Sequence, residues 1–297
     1  DFFNGLILRK VFSGRILYTN NALPGAIIDL DSHVSENVDH RVSIKQFLAG
    51  YGFESRKADA KIAEGESRAR HWWDCSRAIA AEAGAFSLLS LSDDERMRTR
   101  KEGLELAPGR LRSDGKPFWP SVVETFSLQV EDGCLIGRLD KYAVQFLTGG
   151  WLEVFLWGLL DRHAETLNIW DVRLGLEVGQ NDAPTGNDFD VAFMWNHGLC
   201  MMECKSGSQS HDPATDILYK IEAVVRQFQA LRVRSWLATT SPNVLNPATG
   251  GIKASIQTRA AIYNCGTILT EDIRQLAAAP DNGELVKNIL FSNHSYA

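Results

Sequence analysis

Residues 187–207 read NDFDVAFMWNHGLCMMECKSG. The stretch holds two apolar runs of strand length, with acidic residues at its start and a glutamate and a lysine at its end. A short polar connection, Asn196-His197, joins the two runs, so the pattern predicts a β-hairpin. Charges inside apolar strands are costly unless they are paired or bind something, which makes the charged residues the candidate functional residues.

The length of the turn decides which charges face each other. Side chains two residues apart share a face of a strand, so Asp188 and Asp190 lie together, as do Glu203 and Lys205. A two- or four-residue turn places Asp190 opposite Glu203 and Asp188 opposite Lys205. A three-residue turn shifts the register by one residue and brings Cys204 to the face of Asp190 instead.

In the even register, two carboxylates face each other, which is destabilising unless a cation lies between them. Asp190, Glu203 and the main-chain carbonyl of Cys204 are the predicted ligands of Mg²⁺ or Mn²⁺, because these hard cations prefer oxygen. Lys205 is predicted to orient water or neutralise charge on a phosphate, and Asp188 to contact substrate. This chemistry is phosphodiester hydrolysis. The alternative is an amphipathic hairpin with surface charges, since an ExK spacing is common by chance.

Two further positions are candidates outside the hairpin. Glu153 is the one charge in the apolar helical run 151–160 and is predicted either to join the active site or to be a helix-start carboxylate stabilised by the helix dipole. Lys220, in the predicted helix 214–231, either contacts a substrate phosphate or is a solvated lysine.

The segments around the hairpin alternate between strand and helix, which predicts an α/β fold with parallel strands in its later half. The predicted strands are 122–130, 134–140, 142–147, 170–178, 234–241 and 266–270. The predicted helices are 151–163, 214–231, 255–265 and 272–279. Near the start of the chain, the runs 14–21 and 25–31 predict two strands, and VSIKQFLAGYGF after them predicts a short helix.

The region between these two parts has a different composition. Residues 56–103 are rich in Ala, Glu, Arg and Lys and predict helices, one of them capped by Ser92 with Glu95. The Gly- and Pro-rich segment 105–120 is predicted to be a loop or linker. The basic run 96–116, with Phe118 and Trp119 beside it, either guides a phosphate backbone with base stacking or is a solvated helix face and a loop.

Composition limits the classes of function. A formal net charge of −6 argues against a tight, constitutive nucleic-acid binder but allows an enzyme that binds transiently. Five scattered cysteines without a CxxC motif make a disulfide framework or a zinc site improbable and fit the cytoplasm. The sequence has neither 18 consecutive apolar residues nor the order of a signal peptide, so no membrane association is expected.

NDFDV followed by MECKSG resembles the PD-(D/E)xK nuclease signature, although the proline of the literal motif is absent. Asp190, Glu203 and Lys205 match its two acids and its lysine. With GGWLEVFLW before the hairpin and LYKIEAVVRQF after it, the chain resembles the nuclease half of CRISPR-associated Rossmann-fold (CARF) effector nucleases of type III systems. The resemblance implies a restriction-endonuclease-like PD-(D/E)xK core in an α/β fold, with a helix glutamate, Glu153, in the active site.

The resemblance also implies an organisation and a function. The expected units are a partial CARF-like sensor segment (1–55), a helical, basic linker region (56–117) and a nuclease domain (118–297). The expected activity is metal-dependent cleavage of DNA and/or RNA by a homodimer in antiviral defence, activated by cyclic oligoadenylate, with cyclic tetra-adenylate the expected form. About 50 residues precede the helical section, whereas a complete sensor needs about 100, so no activator-binding residue is assigned.

Two alternatives stay open at this point. One is a DNA repair or restriction-type nuclease that shares only the core. The other is a non-catalytic ligand-binding scaffold in which the hairpin charges form a salt-bridged relic.

Overall fold

The hairpin lies in the middle of a six-stranded mixed sheet. The computed structural model describes residues 17–19, 26–29, 32, 34–37, 41–84, 88–180, 186–207, 233–246, 248–249, 251–262 and 265–291. Its strands are β1 (Leu17–Thr19), β2 (Ala26–Asp29), β3 (Ser35–Asn37), β4 (Phe53–Ser55), β5 (Leu104–Leu106), β6 (Gln129–Glu131), β7 (Cys134–Leu139), β8 (Ile169–Gln180), β9 (Asn187–Trp195), β10 (Gly198–Lys205), β11 (Val233–Thr239) and β12 (Cys265–Ile268).

The helices flank these strands. They are α1 (Ile44–Gly50), α2 (Asp59–Ala81), α3 (Asp93–Glu102), α4 (Trp119–Thr125), α5 (Lys141–Gln145), α6 (Trp151–Arg162), α7 (Ala254–Ile262), α8 (Thr270–Ala278) and α9 (Gly283–Phe291). A π-helical turn, Phe146–Gly150, joins α5 to α6, and a 3₁₀ turn covers Pro242–Val244. The predicted helix 214–231, with Lys220, lies outside the described residues.

The order of the main sheet is β12-β11-β10-β9-β8-β4. The pairs β10–β11 and β11–β12 are parallel, which confirms the parallel arrangement predicted for the later half of the chain. The pairs β9–β10, β8–β9 and β4–β8 are antiparallel. A second sheet has the order β5-β7-β6, and β1, β2 and β3 form a small antiparallel sheet that contains the two strands predicted near the start of the chain.

The hairpin turn has two residues, as the even register requires. Asn196 and His197 both have positive φ, 48° and 58°, which is the backbone of a type I′ turn. The pairing runs from Gly198 opposite Trp195 to Met202 opposite Val191. A three-residue turn with shifted register is therefore excluded.

Both faces of the hairpin are covered by apolar side chains. Val191 and Phe193 belong to the large core that includes α6, whereas Ala192 and Met194 pack in a second core with Phe47 and its neighbours in α1. A strand buried on both faces is apolar at nearly every position, which explains why the charges of the hairpin stand out in the sequence.

Two strand predictions upstream of the hairpin are wrong. In the segment predicted as strand 122–130, residues 122–125 belong to helix α4 and only 129–130 belong to a strand, β6. Segment 142–147 is α5 with the start of the π-helical turn. Pro120 in the first turn favours α4 because its missing N–H has no partner there anyway. Asp140 caps α5, since its side chain accepts hydrogen bonds from the N–H groups of Tyr142 and Ala143.

The region 56–117 shares a core with the rest of the chain. Ala69, Cys75 and Ile79 of α2 are buried in the same cluster as α6. A division at residue 117 thus separates segments that pack together. The three units expected from the sequence, 1–55, 56–117 and 118–297, stay a prediction.

The helical run Lys141–Arg162 is, within the described residues, the one segment that passes for a membrane span by length and composition. In its most apolar window 78% of the residues are buried inside the fold. Such burial is typical of the core helix of a soluble protein.

Candidate active site

The site is built where β9 and β10 diverge. Their pairing ends at Val191–Met202; beyond it β9 continues along β8, with Phe189 opposite Leu176. From the same point β10 continues along β11, with Glu203 opposite Leu237. The next pair in the hairpin register would be Asp190 and Glu203. The two predicted carboxylates therefore stand at the mouth of a fork between the strands.

A side chain closes part of the fork. The N–H of Cys204 donates a hydrogen bond of 2.6 Å to Oδ2 of Asp190. Asp190 thereby contacts β10 beyond the last paired residues of the ladder, and its carboxylate is held at a fixed position. The burial of Cys204, with Asp190, Glu153 and Glu203 nearby, raises the pKa of its thiol well above the usual value. The thiol of Cys204 is thus protonated and is not a thiolate ligand. The group that Cys204 can offer to a cation is its main-chain carbonyl oxygen.

Lys205 and Glu203 form an ion pair on the strand end. Lys205 Nζ lies 2.8 Å from Glu203 Oε1, and the Glu203 side chain is only 5% exposed. Burial lowers the pKa of Lys205, but Glu203, Asp190 and Glu153 together outweigh it and raise that pKa above its usual value. The lysine is therefore a permanent cation beside two carboxylates.

Glu153 joins the same group of charges from the first turn of α6. Burial, the nearby charges of Asp190 and Glu203, and opposing contributions from Lys205 and Lys57 together set its pKa at about 8. The structure thus brings Glu153 into electrostatic contact with the hairpin residues, as the active-site interpretation predicts. Its place in the first helical turn also fits the alternative of a carboxylate stabilised by the helix dipole, but burial and the neighbouring carboxylates raise its pKa well above the ordinary value.

Glycines allow α6 to start close to the end of β10. Gly149 has φ of 153°, and a Cβ there would lie 2.9 Å from Ser206 Oγ. Ser206 Oγ donates a hydrogen bond of 3.3 Å to the Gly149 carbonyl. On the other side, the Thr240 N–H donates to the Lys205 carbonyl. These contacts fix the relative positions of Glu153 and Lys205.

The donor set suits a hard cation. Across the described ranges, no three His, Cys, Asp or Glu side chains are grouped tightly enough to hold a metal ion by themselves. Mg²⁺ does not need such a group, because it keeps several waters and binds through one or two carboxylates plus substrate phosphate. Asp190, Glu203 and the Cys204 carbonyl match that requirement, whereas a zinc site would need more nitrogen or sulfur ligands.

Other predicted residues are placed differently. Asp188 is exposed and lies opposite Glu177 in the β8–β9 register, on the side of β9 away from β10. Its predicted contact with substrate stays a prediction. Lys220 lies outside the described residues. The base-stacking interpretation of Phe118 and Trp119 is wrong, because they are buried to 1% and 6% exposure and Trp119 Nε1 donates to Asp114.

Lys57 is a further charged residue near the site. Its Nζ donates a hydrogen bond of 3.0 Å to the carbonyl of Gly175, which lies opposite Asp190 in the β8–β9 register. Because Gly175 has no side chain, Lys57 Nζ occupies the space that a Cβ would fill, at 2.8 Å from that position. Lys57 stands in a polar stretch, ESRKADAK, so no contrast with apolar neighbours marks it in the sequence.

Comparisons with known proteins identify an endonuclease domain in this part of the chain. Residues 140–258 match the family model described as "Card1-like, endonuclease domain", a range that contains all four site residues. A search of curated proteins found no significant match.

Solved structures share the fold at low sequence identity. Can2 from Sulfobacillus thermosulfidooxidans, determined in complex with cyclic tetra-adenylate, has a TM-score of 0.54 and 18% identity, covering 89% of this chain and 67% of that one. Protein VC1899 from Vibrio cholerae has a TM-score of 0.62 and 16% identity, covering 95% of this chain and 72% of that one. A type III CRISPR defence DNA nuclease activated by cyclic oligoadenylate has a TM-score of 0.35 and 14% identity, with coverages of 84% and 34%, which is too low to bear on the fold. The segment that holds the site, residues 140–258, therefore matches a Card1-like endonuclease domain, and Can2 and VC1899 share the fold of the chain.

Proposed function

We propose that this chain is a metal-dependent endonuclease with a PD-(D/E)xK active site that hydrolyses phosphodiester bonds of DNA, RNA or both. The observation that carries the proposal is the fork between β9 and β10. It places Asp190 and Glu203 together, pairs Lys205 with Glu203, and adds the high-pKa Glu153 from α6.

The residues divide the chemistry between them. Asp190, Glu203 and the Cys204 carbonyl would hold Mg²⁺ or Mn²⁺. When bound, the cation supplies Lewis-acid stabilisation of the negative charge on the phosphate. Lys205 is a permanent cation that stabilises the charge gained by the phosphate in the transition state. Glu153, with a pKa of about 8, is suited to take or give a proton near neutral pH.

The regulation proposed for the chain rests on the relatives. Can2 was determined with cyclic tetra-adenylate, so we propose that a cyclic oligoadenylate, cyclic tetra-adenylate first, activates this nuclease. The resemblance of its motifs to effector nucleases of type III systems supports a role in CRISPR antiviral defence. We further propose that it acts as a cytoplasmic homodimer. No residue is assigned to the activator site.

The direct test is cleavage of plasmid, single-stranded DNA and RNA with Mg²⁺ or Mn²⁺, with and without cyclic tetra- or hexa-adenylate. Glu203→Gln and Lys205→Met are each expected to lower the rate about 10³-fold, because each removes a charge that acts in the transition state. Glu131→Gln is the matched control and should keep the wild-type rate. Glu131 is exposed on β6, in the sheet β5-β7-β6.

Thermal unfolding of each variant separates loss of chemistry from loss of fold. Metal-independent cleavage, or cleavage that survives both Glu203→Gln and Lys205→Met, would contradict the proposal. Equal cleavage with and without the cyclic nucleotides would leave the nuclease but remove the proposed activation.

A further inference from the structure

Two neighbouring clefts run from the catalytic cluster to helix α3. The first has a volume of about 350 Å³ and includes Glu153 in its lining. The second has a volume of about 460 Å³ and lies against α3. They share the wall residues Lys141, Tyr142 and Gln145, so the two clefts adjoin. We call the pair of clefts the basic groove, after the cations that line it: Lys57, Lys61, Arg68, Arg96, Arg100 and Lys141.

The groove has the opposite charge to the protein as a whole. The chain carries a formal net charge of −6, yet only Glu64 and Glu153 among the groove-lining residues are acidic. Glu64 is paired with Arg68 on the next turn of α2. Concentrated positive charge beside a phosphodiester-cleaving site is the electrostatic footprint of a nucleic-acid binder.

Aromatic rings stand among the cations. The Arg68 guanidinium lies 3.7 Å from the centre of the Tyr142 ring, and Lys141 Nζ lies 4.8 Å from it. Trp72 also lines the first cleft, and its ring packs edge-on against Phe126 and Phe146 at 5.4 Å. These contacts hold both rings in place among the cations of the groove.

The outer cations are presented by a rigid element. Arg96 and Arg100 are four residues apart on α3, on the side where the buried Thr99 anchors the helix. A capping box between Ser92 and Glu95 fixes the start of α3, and Arg110 pairs with Glu95 at 2.9 Å. The residues of the basic run 96–116 therefore have different roles. Arg96 and Arg100 line the groove, whereas Arg110 forms an ion pair with Glu95.

We propose that the basic groove binds a single strand of nucleic acid, with phosphates along its cations and an unstacked base against Tyr142, and leads that strand to Glu153. A cationic groove interleaved with aromatic rings is the arrangement by which proteins hold single strands without reading sequence. A duplex keeps its bases stacked away from such rings. The inference rests on the proposed nuclease function, because a bound strand would be the substrate of the catalytic cluster at the end of the groove.

The experiment compares two pairs of substitutions on the same helix in the full chain. Arg96→Ala/Arg100→Ala removes two groove cations, and Arg98→Ala/Lys101→Ala removes two exposed cations of α3 that do not line the groove. Both pairs are made in the Glu203→Gln variant, so that no probe is cut. Binding of labelled oligothymidylate and oligouridylate is measured by fluorescence anisotropy over a range of salt.

The groove pair is expected to weaken binding about tenfold at low salt. It should also reduce the slope of log affinity against log salt by about 1.4, which is about 0.7 for each single-strand phosphate contact. Tyr142→Ala should weaken binding about tenfold with an unchanged slope, because stacking releases no counterions. The control pair should stay within about twofold of the parent.

Equal losses from the two pairs would show attraction by net charge alone and overturn the proposal. A duplex that binds more tightly than the single strand with the same dependence on Arg96 and Arg100 would overturn it too. So would competitive displacement of the strand by cyclic tetra-adenylate, which would make the groove the activator site. Cleavage is measured separately with the wild-type protein. If the wild-type protein cleaves but Arg96→Ala/Arg100→Ala leaves oligonucleotide binding unchanged, this inference alone is disproved. If the protein binds single strands but shows no metal-dependent cleavage, the proposed function is disproved.

Discussion

Glu153 carries the least favourable charge of the site. Burial and the charges of Asp190 and Glu203 disfavour its ionised form, while Lys205 and Lys57 only partly compensate. Without a cation the folded protein therefore keeps a proton on Glu153 at neutral pH. The arrangement costs stability, and the Mg²⁺ or Mn²⁺ that we propose for the site would offset that cost.

The sign of this cost can be measured. Glu153 has a pKa of about 8 in the fold, compared with an ordinary value of 4.5. Between these pH values the folded protein binds more protons than the unfolded chain, so the free energy of unfolding falls as pH rises through this window. In EDTA, the melting temperature of Glu153→Gln relative to wild type should thus rise by about 5 °C between about pH 5 and about pH 8. The exposed Glu131→Gln is the control, and a difference that is constant with pH would refute the assigned cause.

Single residues of the site could be predicted where charge contrasts with apolar surroundings. Asp190, Glu203, Lys205 and Glu153 each interrupt an apolar run, and burial makes such interruptions expensive unless they have a partner. Lys57 has no such contrast. Its role arises because α2 follows β4 at the edge of the sheet, a long-range arrangement that no local pattern encodes.

At the level of elements, the hairpin was predictable and the segment before α6 was not. The two-residue turn fixes the register, and the register fixes which carboxylates meet. The runs 122–130 and 142–147 carry β-branched and aromatic residues, which favour strands, yet each follows a helix-start signal two residues upstream. Pro120 and Asp140 decided the outcome, since capping and the first-turn proline outweigh weak propensities in short segments.

The junction between the π-helical turn and α6 offers an element-scale prediction. Gly149→Ala places a side chain at a φ that L-residues avoid and brings its Cβ to 2.9 Å from Ser206 Oγ. We expect it to lower the free energy of unfolding by about 2 kcal/mol and to reduce cleavage, because α6 and Glu153 move relative to Lys205. Urea unfolding measures the first effect.

Gly50→Ala is the matched control for that junction. Gly50 ends α1, and a Cβ there meets nothing within 4 Å. It should be neutral or slightly stabilising. Equal effects of the two substitutions would mean that the backbone of Gly149 does not constrain the site.

For the whole molecule, the docking of α2 on α6 joins the two halves of the chain. Trp73 of α2 is buried at 5% exposure, and Arg162 stacks 3.7 Å from its ring. Gly158 of α6 lies directly beneath this ring. The same helix α2 supplies Lys61 and Arg68 to the basic groove, so this contact connects the stability of the fold to the position of the groove cations. The helical composition of 56–103 predicts α2, but not the partner against which it packs.

Two helix glycines test this docking. In an exposed helix interior, alanine is more stable than glycine by about 1 kcal/mol. Gly65→Ala in α2, whose Cβ would meet nothing within 4 Å, should show that gain. Gly158→Ala should instead lose about 3 kcal/mol or more, because its Cβ would overlap the Trp73 ring, at 1.9 Å from Cδ1. Urea unfolding of both variants gives the comparison. If Gly158→Ala were also stabilising, α2 would not pack on α6, and the region 56–117 would act as the linker that its composition suggests.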